Sequence, residues 1–212
     1  MAINDGNSIS GTIGNIVHYK RKKKNVMRIK SANVKNPDTP GQRNHRGKIK
    51  LSSRFIKSIH SFIKIGYQAT NHDSPSNEAR QFIIKNCFTN GFDMPVLNYN
   101  TIPISRGTIA APEDCTLTLN GNLAHITWKK PEKVNNVIKN DKVMIAMFID
   151  EGKEGVSQML SNVAYRTDGE ADLQIPVHTT PVHIWMFFYN PDFTAGEDKG
   201  KVSDSVYVGV IE

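Results

Sequence analysis

Seven histidines, two cysteines and 20 carboxylates are the side chains of this 212-residue chain that could move protons, attack a carbonyl or hold a metal. Their spacing assembles none of these functions. His18, His45, His60, His72, His125, His178 and His183 are scattered and form neither an H-x-x-x-H nor an H-E-x-x-H pattern. His178 and His183 flank a Pro-containing turn, but a zinc site there would need two further ligands. His72-Asp73 lies in a stretch that reads as a helix-capping loop, where local hydrogen bonding is the ordinary role of such residues. Glu113-Asp114 and Asp150-Glu151 are adjacent acids, and consecutive strand positions point to opposite faces, whereas paired-carboxylate catalysis needs convergence. Cys87 and Cys115 have no metal-ligand spacing and read as packing residues. No G-x-S-x-G elbow, P-loop or G-x-G-x-x-G fingerprint occurs. The expectation is a non-enzymatic protein with no catalytic residue, metal or cofactor.

The chemistry that the chain does carry is cationic. Residues 1–66 hold 15 Lys and Arg against two acids, Asp5 and Asp38, a net +13; the remainder holds 12 bases against 18 acids, a net −6. The overall +7 averages two regions of opposite sign. Blocks of like charge mark surfaces that meet something negative.

The elements that carry these cations are legible. Ile13, Val17 and Tyr19 within Ile13 to Lys20, followed by Val26 to Lys30, predict a β-hairpin whose connection, Lys22 to Asn25, presents Lys20, Arg21, Lys22, Lys23 and Lys24 together. Gly11 and Gly14 mark a bulge or a close backbone approach. In Asn36-Pro37-Asp38-Thr39-Pro40-Gly41-Gln42, Thr39 reads as a helix cap, Pro40 as a first helical residue and Gln42 as the reciprocal partner of a capping box. A helix from Pro40 to Ile65 is predicted, with Ser52, Phe55, Ile56, Ile59, Phe62 and Ile63 on an inner face. Arg43, Arg46, Lys50, Arg54, Lys57 and Lys64 form a separate stripe, uninterrupted by the acids that an ordinary exposed face would mix in. A second helix is expected from Pro75 to about Asn90, capped by Asp73 or Ser74, started by Pro75, ended by Asn90-Gly91, and with Ala79, Phe82, Ile83 and Cys87 facing inward.

From about Pro95 the pattern changes to short apolar or alternating runs: Cys115 to Leu119, Leu123 to Trp128, Lys142 to Ile149, Val163 to Arg166, Ala171 to Ile175, Val182 to Tyr189 and Val202 to Val210. Asn120-Gly121 signals a hairpin, Thr167 to Glu170 another turn, and Trp128 and Trp185 are natural core anchors. The predicted fold is α+β: a basic N-terminal hairpin plus two helices over residues 1–94, then an all-β immunoglobulin- or fibronectin-like sandwich over 95–212. No apolar run approaches a membrane span and the first residues are polar, so a cytoplasmic protein is expected.

Several phrases are shared with a known family. Gly11-x-x-Gly14-Asn15-x-Val17-x-Tyr19, Asn36-Pro37-x-Thr39-Pro40-x-Gln42-x-x-x-Arg46, Phe62 to Tyr67, Ile104-Ser105-Arg106-Gly107 and Ser203-Asp204-Ser205-Val206-Tyr207 together resemble a Bacteroidota family of unknown function, domain number 6266. Gly41 and Gly47 depart from the helix formers expected there. The resemblance implies a basic module joined to an immunoglobulin-like domain and brings no activity. The Asn-Pro-x-Thr-Pro phrase alone is similar to phage virion proteins, although most of it is helix-capping grammar.

Two functions follow from these observations. One is a structural or adaptor protein of a repeated assembly, such as a virion or connector ring, forming a homo-oligomer or docking its basic arm on an acidic protein. The other is a sequence-nonspecific nucleic-acid binder gripping phosphates with Lys20 to Lys24 and the stripe from Arg43 to Lys64; its weakness is that only Tyr19 and Tyr67 offer rings for base stacking. Membrane contact is disfavoured because the first helix lacks Trp and needs its apolar face for the core.

Overall fold

A computed structural model describes residues 3–4, 9–21, 24–33, 37–67, 74–89, 94–134, 138–150, 156–176, 180–191 and 201–212. Lys22, Lys23, Asn36, the His72-Asp73 loop, Asn90-Gly91, Glu151 and His178 lie outside them. The chain forms two compact units, Met1–Thr39 and Pro40–Glu212.

The first unit is an antiparallel meander of β1 (Ile3–Asn4), β2 (Ile9–Ile13), β3 (Ile16–Arg21) and β4 (Lys24–Ile29) in that spatial order. The predicted hairpin is its second half, and its connection is two residues rather than four, because Arg21 already pairs with Lys24. Gly14, at φ +56°, makes the preceding turn, where Ile13 pairs with Ile16.

The second unit begins with helix α1 (Pro40–Ser58), which starts at the predicted proline. The expected single helix to Ile65 is divided: Ile59 leaves helical geometry (φ −103°, ψ 25°) and α2 runs from His60–Gly66. At the division the Ser157 hydroxyl donates to the Ser58 carbonyl, an insertion into the helical ladder that accounts for the break. Helix α3 (Pro75–Asn86) ends four residues before the expected Asn90, with the Cys87 amide bonded to the Ile83 carbonyl. Its Ser74 cap uses only the backbone carbonyl, which accepts from Asn77 and Glu78.

The strands of this unit include a short pair, β5 (Phe88–Thr89) with β6 (Val96–Leu97), and two antiparallel sheets. One sheet joins β7 (Thr116–Asn120), β8 (Leu123–Thr127) and β11 (Glu170–Gln174) in the order β11-β8-β7. The other joins β9 (Lys142–Ile149), β10 (Val156–Tyr165), β12 (Val182–Asn190), β13 (Lys201–Val202) and β14 (Val206–Ile211), with β9 and β12 central. The β7–β8 turn consists of Gly121 (φ +63°) and Asn122, one residue later than the Asn120-Gly121 expected, because Asn120 is still paired with Leu123.

Alternation along β9 and β12 builds two cores. Val143, Ile145, Met147, Ile184, Met186 and Phe188 meet Ala124, Ile126, Trp128 and Leu173 between the sheets. Met144, Ala146, Phe148, Trp185 and Phe187 meet Phe55, Ile56, Phe62, Ile63 and Ile83 of the helices. The unit is therefore three layers deep, helices on one face of the five-stranded sheet and the three-stranded sheet on the other. That layering corrects the boundary expected at residues 94 and 95. The apolar helix face has no separate module to bury itself in; it covers the sheet, and the division falls between Thr39 and Pro40.

Candidate anion-binding surface

Strand register sorts the arm's side chains onto two faces. The pairs Val17 with Arg28, Tyr19 with Val26 and Arg21 with Lys24 share one face, so three cations surround a half-buried Tyr19. Lys20, paired with Asn25, points to the other face. Sequence reasoning grouped Lys20, Arg21 and Lys24 by adjacency and missed Arg28; period-two alternation was the signal for it.

In the second unit, Arg43, Arg46, Lys50 and Lys57 are exposed on α1, whose first turn has no acid. Arg54 departs from this stripe. Its guanidinium pairs with Asp150 at the end of β9, and the other oxygen of that carboxylate accepts from Tyr99 at 2.7 Å. The candidate list thus loses Arg54 to an internal contact. Tyr67 is likewise removed as a stacking ring: it is buried and donates to the Pro103 carbonyl at 3.0 Å. Burial raises its pKa well above the ordinary phenol range. Hairpin and helix cations belong to different units.

Around Asp150, Tyr99 also stacks on His183, ring centres 4.1 Å apart, and His183 Nδ1 lies 2.8 Å from the Tyr207 hydroxyl. Burial lowers the His183 pKa, with the Asp150 charge opposing it, and burial plus donation to Asp150 raises that of Tyr99. A cleft of about 230 Å³ opens beside this cluster, lined chiefly by Leu51, Phe55, Leu97 and Phe148. Among the described residues, the histidine's ring nitrogen meets a phenol, and the neighbouring carboxylate pairs with Arg54 and Tyr99.

Three phrases separated by up to about a hundred residues of chain meet in one hydrogen-bonded knot. The Gly66 carbonyl accepts from Arg106 at 2.9 Å, Ser205 Oγ accepts from Ile104 at 2.9 Å, Asp204 accepts from Gly107 at 2.9 Å, and Ser105 Oγ donates to the Ser203 carbonyl at 2.7 Å. Ser203 Oγ in turn accepts from the Phe188 amide at 2.8 Å, tying the knot to β12. Contacts are closest at two glycines: a Cβ at Gly66 would lie 2.3 Å from the Ile104 carbonyl oxygen and one at Gly107 would lie 1.8 Å from that of Val202. Every serine here bonds backbone, and the knot clamps loops to the sheet.

The knot, the helix start and the arm meander are built from the phrases that carried the family resemblance. A family model matches residues 8–209. The chain belongs to DUF6266, a family of unknown function. No curated protein matches it. Among solved structures, the fn3 domain of human contactin 1 is similar at 11% identity and a TM-score of 0.32, over 50% of this chain and 84% of that one.

In this DUF6266 chain, Gly47 also acquires a reason: a Cβ there would approach the Pro95 ring to 2.9 Å, so the departure from a helix former admits the segment leading into β6. Gly41 has nothing within 4 Å, and no contact explains it. No helix among the described residues of this DUF6266 chain is long and apolar enough to cross a membrane.

Proposed function

We propose that the chain is a non-enzymatic structural or adaptor protein of a repeated assembly, a virion or connector ring being the kind intended, in which the N-terminal arm docks on an acidic partner. The observation carrying this is the arm's composition together with its burial. Residues 1–39 hold eight bases against two acids, and no described side chain of the arm is buried. Residues 40–212 are nearly balanced, 19 bases against 18 acids, and own both cores. The reading assigns docking to the first unit and rigid mass to the second.

The second unit is read as a fibronectin- or immunoglobulin-type sandwich with helices added to one face. Support comes from eight strands in two antiparallel sheets, β7-β8-β11 facing β10-β9-β12 with β13 and β14 both paired to β12, joined by hairpins (β7–β8, β9–β10) and by crossings between the sheets.

Nucleic-acid binding is the second reading, favoured by Tyr19 amid Arg21, Lys24 and Arg28. Light scattering on the nuclease-treated full chain at low and high salt separates the two. Assembly predicts salt-sensitive higher-order species free of nucleic acid, lost in the combined variant Arg21→Gln, Lys24→Gln, Arg28→Gln. If wild type and variant show the same species at every salt, docking through the arm cations is wrong. Nucleic acid retained until salt strips it, judged by ultraviolet absorbance, makes phosphate the partner.

A further inference from the structure

The arm face opposite its cations is apolar and uncovered. Ile13, Ile16 and Ile29 stand directly opposite one another across β2, β3 and β4, and Met27 lies two residues before Ile29 on the same side. They are 52%, 43%, 80% and 68% exposed, respectively. Among the described residues of β3 and β4, this face also carries His18, opposite Met27, and Asn25 with Lys20 at the hairpin end, Lys20 being the only Lys, Arg, Asp or Glu on it. Aligned aliphatic side chains at consecutive cross-strand positions form a patch, unlike the single exposed residues that any surface carries. A sheet of short strands with no described side chain buried also lacks the apolar burial needed to offset its conformational entropy.

We propose that this apolar face is a self-association surface, covered in solution by the same face of a second copy of the chain. The proposal rests on the arm being the docking element, and names the partner of its second face. Charge placement selects the occupant. An anionic protein or a polynucleotide would find one cation here, since Arg21, Lys24 and Arg28 point the other way. A lipid surface is disfavoured because no Trp, Tyr or Phe, the rings that anchor an apolar face at a membrane interface, stands among the described residues of this face. An identical apolar row satisfies itself: two copies related by a two-fold axis stack Ile13, Ile16, Ile29 and Met27 against their counterparts and leave both cationic faces outward. Stacked sheets lie about 10 Å apart, so outward cations are separated by more than the Debye length of about 8 Å at physiological ionic strength. Repulsion between the arms is therefore screened, and salt strengthens this contact, whereas it weakens docking on an acidic partner.

The test is sedimentation equilibrium of the full chain at low and high salt. Wild type is expected to form dimers, or multiples of them, whose pairing tightens with salt. Ile16→Glu with Ile29→Glu is expected to raise the dimer dissociation constant about a hundredfold by burying unpaired carboxylates. The combined variant Arg21→Gln, Lys24→Gln, Arg28→Gln keeps the dimer, so loss of the acidic partner and loss of pairing are read separately. Because the glutamates can unfold the arm, a second measurement uses a Cys115→Ser chain carrying either Met27→Cys or, on the cationic face, Thr12→Cys, treated with a short bis-maleimide. Dimers should be trapped at Met27→Cys and not at Thr12→Cys. A wild type that is monomeric at both salts, a glutamate variant that pairs as wild type does, or equal trapping at both cysteines overturns the proposal. A monomer that instead sediments with phosphatidylserine vesicles overturns it in favour of lipid.

Discussion

Strands β9 and β12 bury side chains on both of their faces, while β3 and β4 bury none on either. Both pairs are antiparallel hydrogen-bonded ladders, so the ladder itself does not make the difference. What differs is the supply of apolar surface around each. The central strands lie between helices and a second sheet, and each fully buried large side chain contributes roughly 1.5–3 kcal/mol. The arm strands half-bury Val17, Tyr19 and Val26 and leave Ile13, Ile16, Met27 and Ile29 in water, where they contribute little. One region carries its own cores; the other has no buried side chain among its described residues.

The sharpest way to break that comparison is to remove one large apolar side chain from each region. Trp185→Ala should cost the second unit about 4 kcal/mol, because it empties the centre of the helix-facing core. It also leaves the Ile102 carbonyl without the indole donor that now lies 3.0 Å away. Met27→Ala should change monomer stability by no more than about 0.5 kcal/mol. Urea unfolding of both variants checks this; equal losses would mean that the arm has a core after all.

The knot offers a smaller effect. Gly107→Ala forces a methyl group into the Val202 backbone, which cannot give way as a flexible side chain can, and should destabilise the second unit by about 2–3 kcal/mol. Gly14→Ala in the arm is strained only by its positive φ, with open space around it, so it should cost about 1 kcal/mol. Thermal unfolding of the two variants ranks them, and the reverse order would contradict the contrast between packed and open backbone.

The smallest effect concerns protons. Burial lowers the His183 pKa in the folded chain, so the unfolded chain binds the proton more readily. Stability is then full above the unfolded histidine value of about 6.5 and falls as the pH drops through the folded one. Replacement by an uncharged side chain, His183→Asn, should reduce the acid-side loss measured as a urea midpoint at neutral and mildly acidic pH. An unchanged slope would show that other groups carry it.

Much of the fold was legible because its signals are local. The inner helix faces, from Ser52 to Ile63 and at Ala79, Ile83 and Cys87, are buried as their three-and-four spacing predicts, and Trp128 and Trp185 are core residues. Phe82, expected to face inward with them, is only half-buried, and Arg106 lies over its ring at 4.9 Å. The uninterrupted runs of β9 and β12 carried one further signal, that strands buried on both faces lose their alternation. The second cover for those runs is supplied by the very helices whose own face needed burial. The candidate site was less legible. Adjacency grouped the arm cations, but register separates Lys20 from Arg21 and adds Arg28, and a contact 96 residues away takes Arg54.

By itself the sequence determined the opposite charges of the two ends, the helix start at Pro40, the turn at Gly121-Asn122 to within a residue, and the positions of most strands. Each depends on a residue and its near neighbours, through side-chain geometry, capping or periodicity. Tertiary structure alone decided that the helices share a core with the sheet, that Gly66, Ser105 and Ser203 meet, and which face of the arm is cationic. Those outcomes turn on strand register and on closing loops of up to about a hundred residues, where partner choice is set by the summed burial of both sides and no short window of sequence contains both.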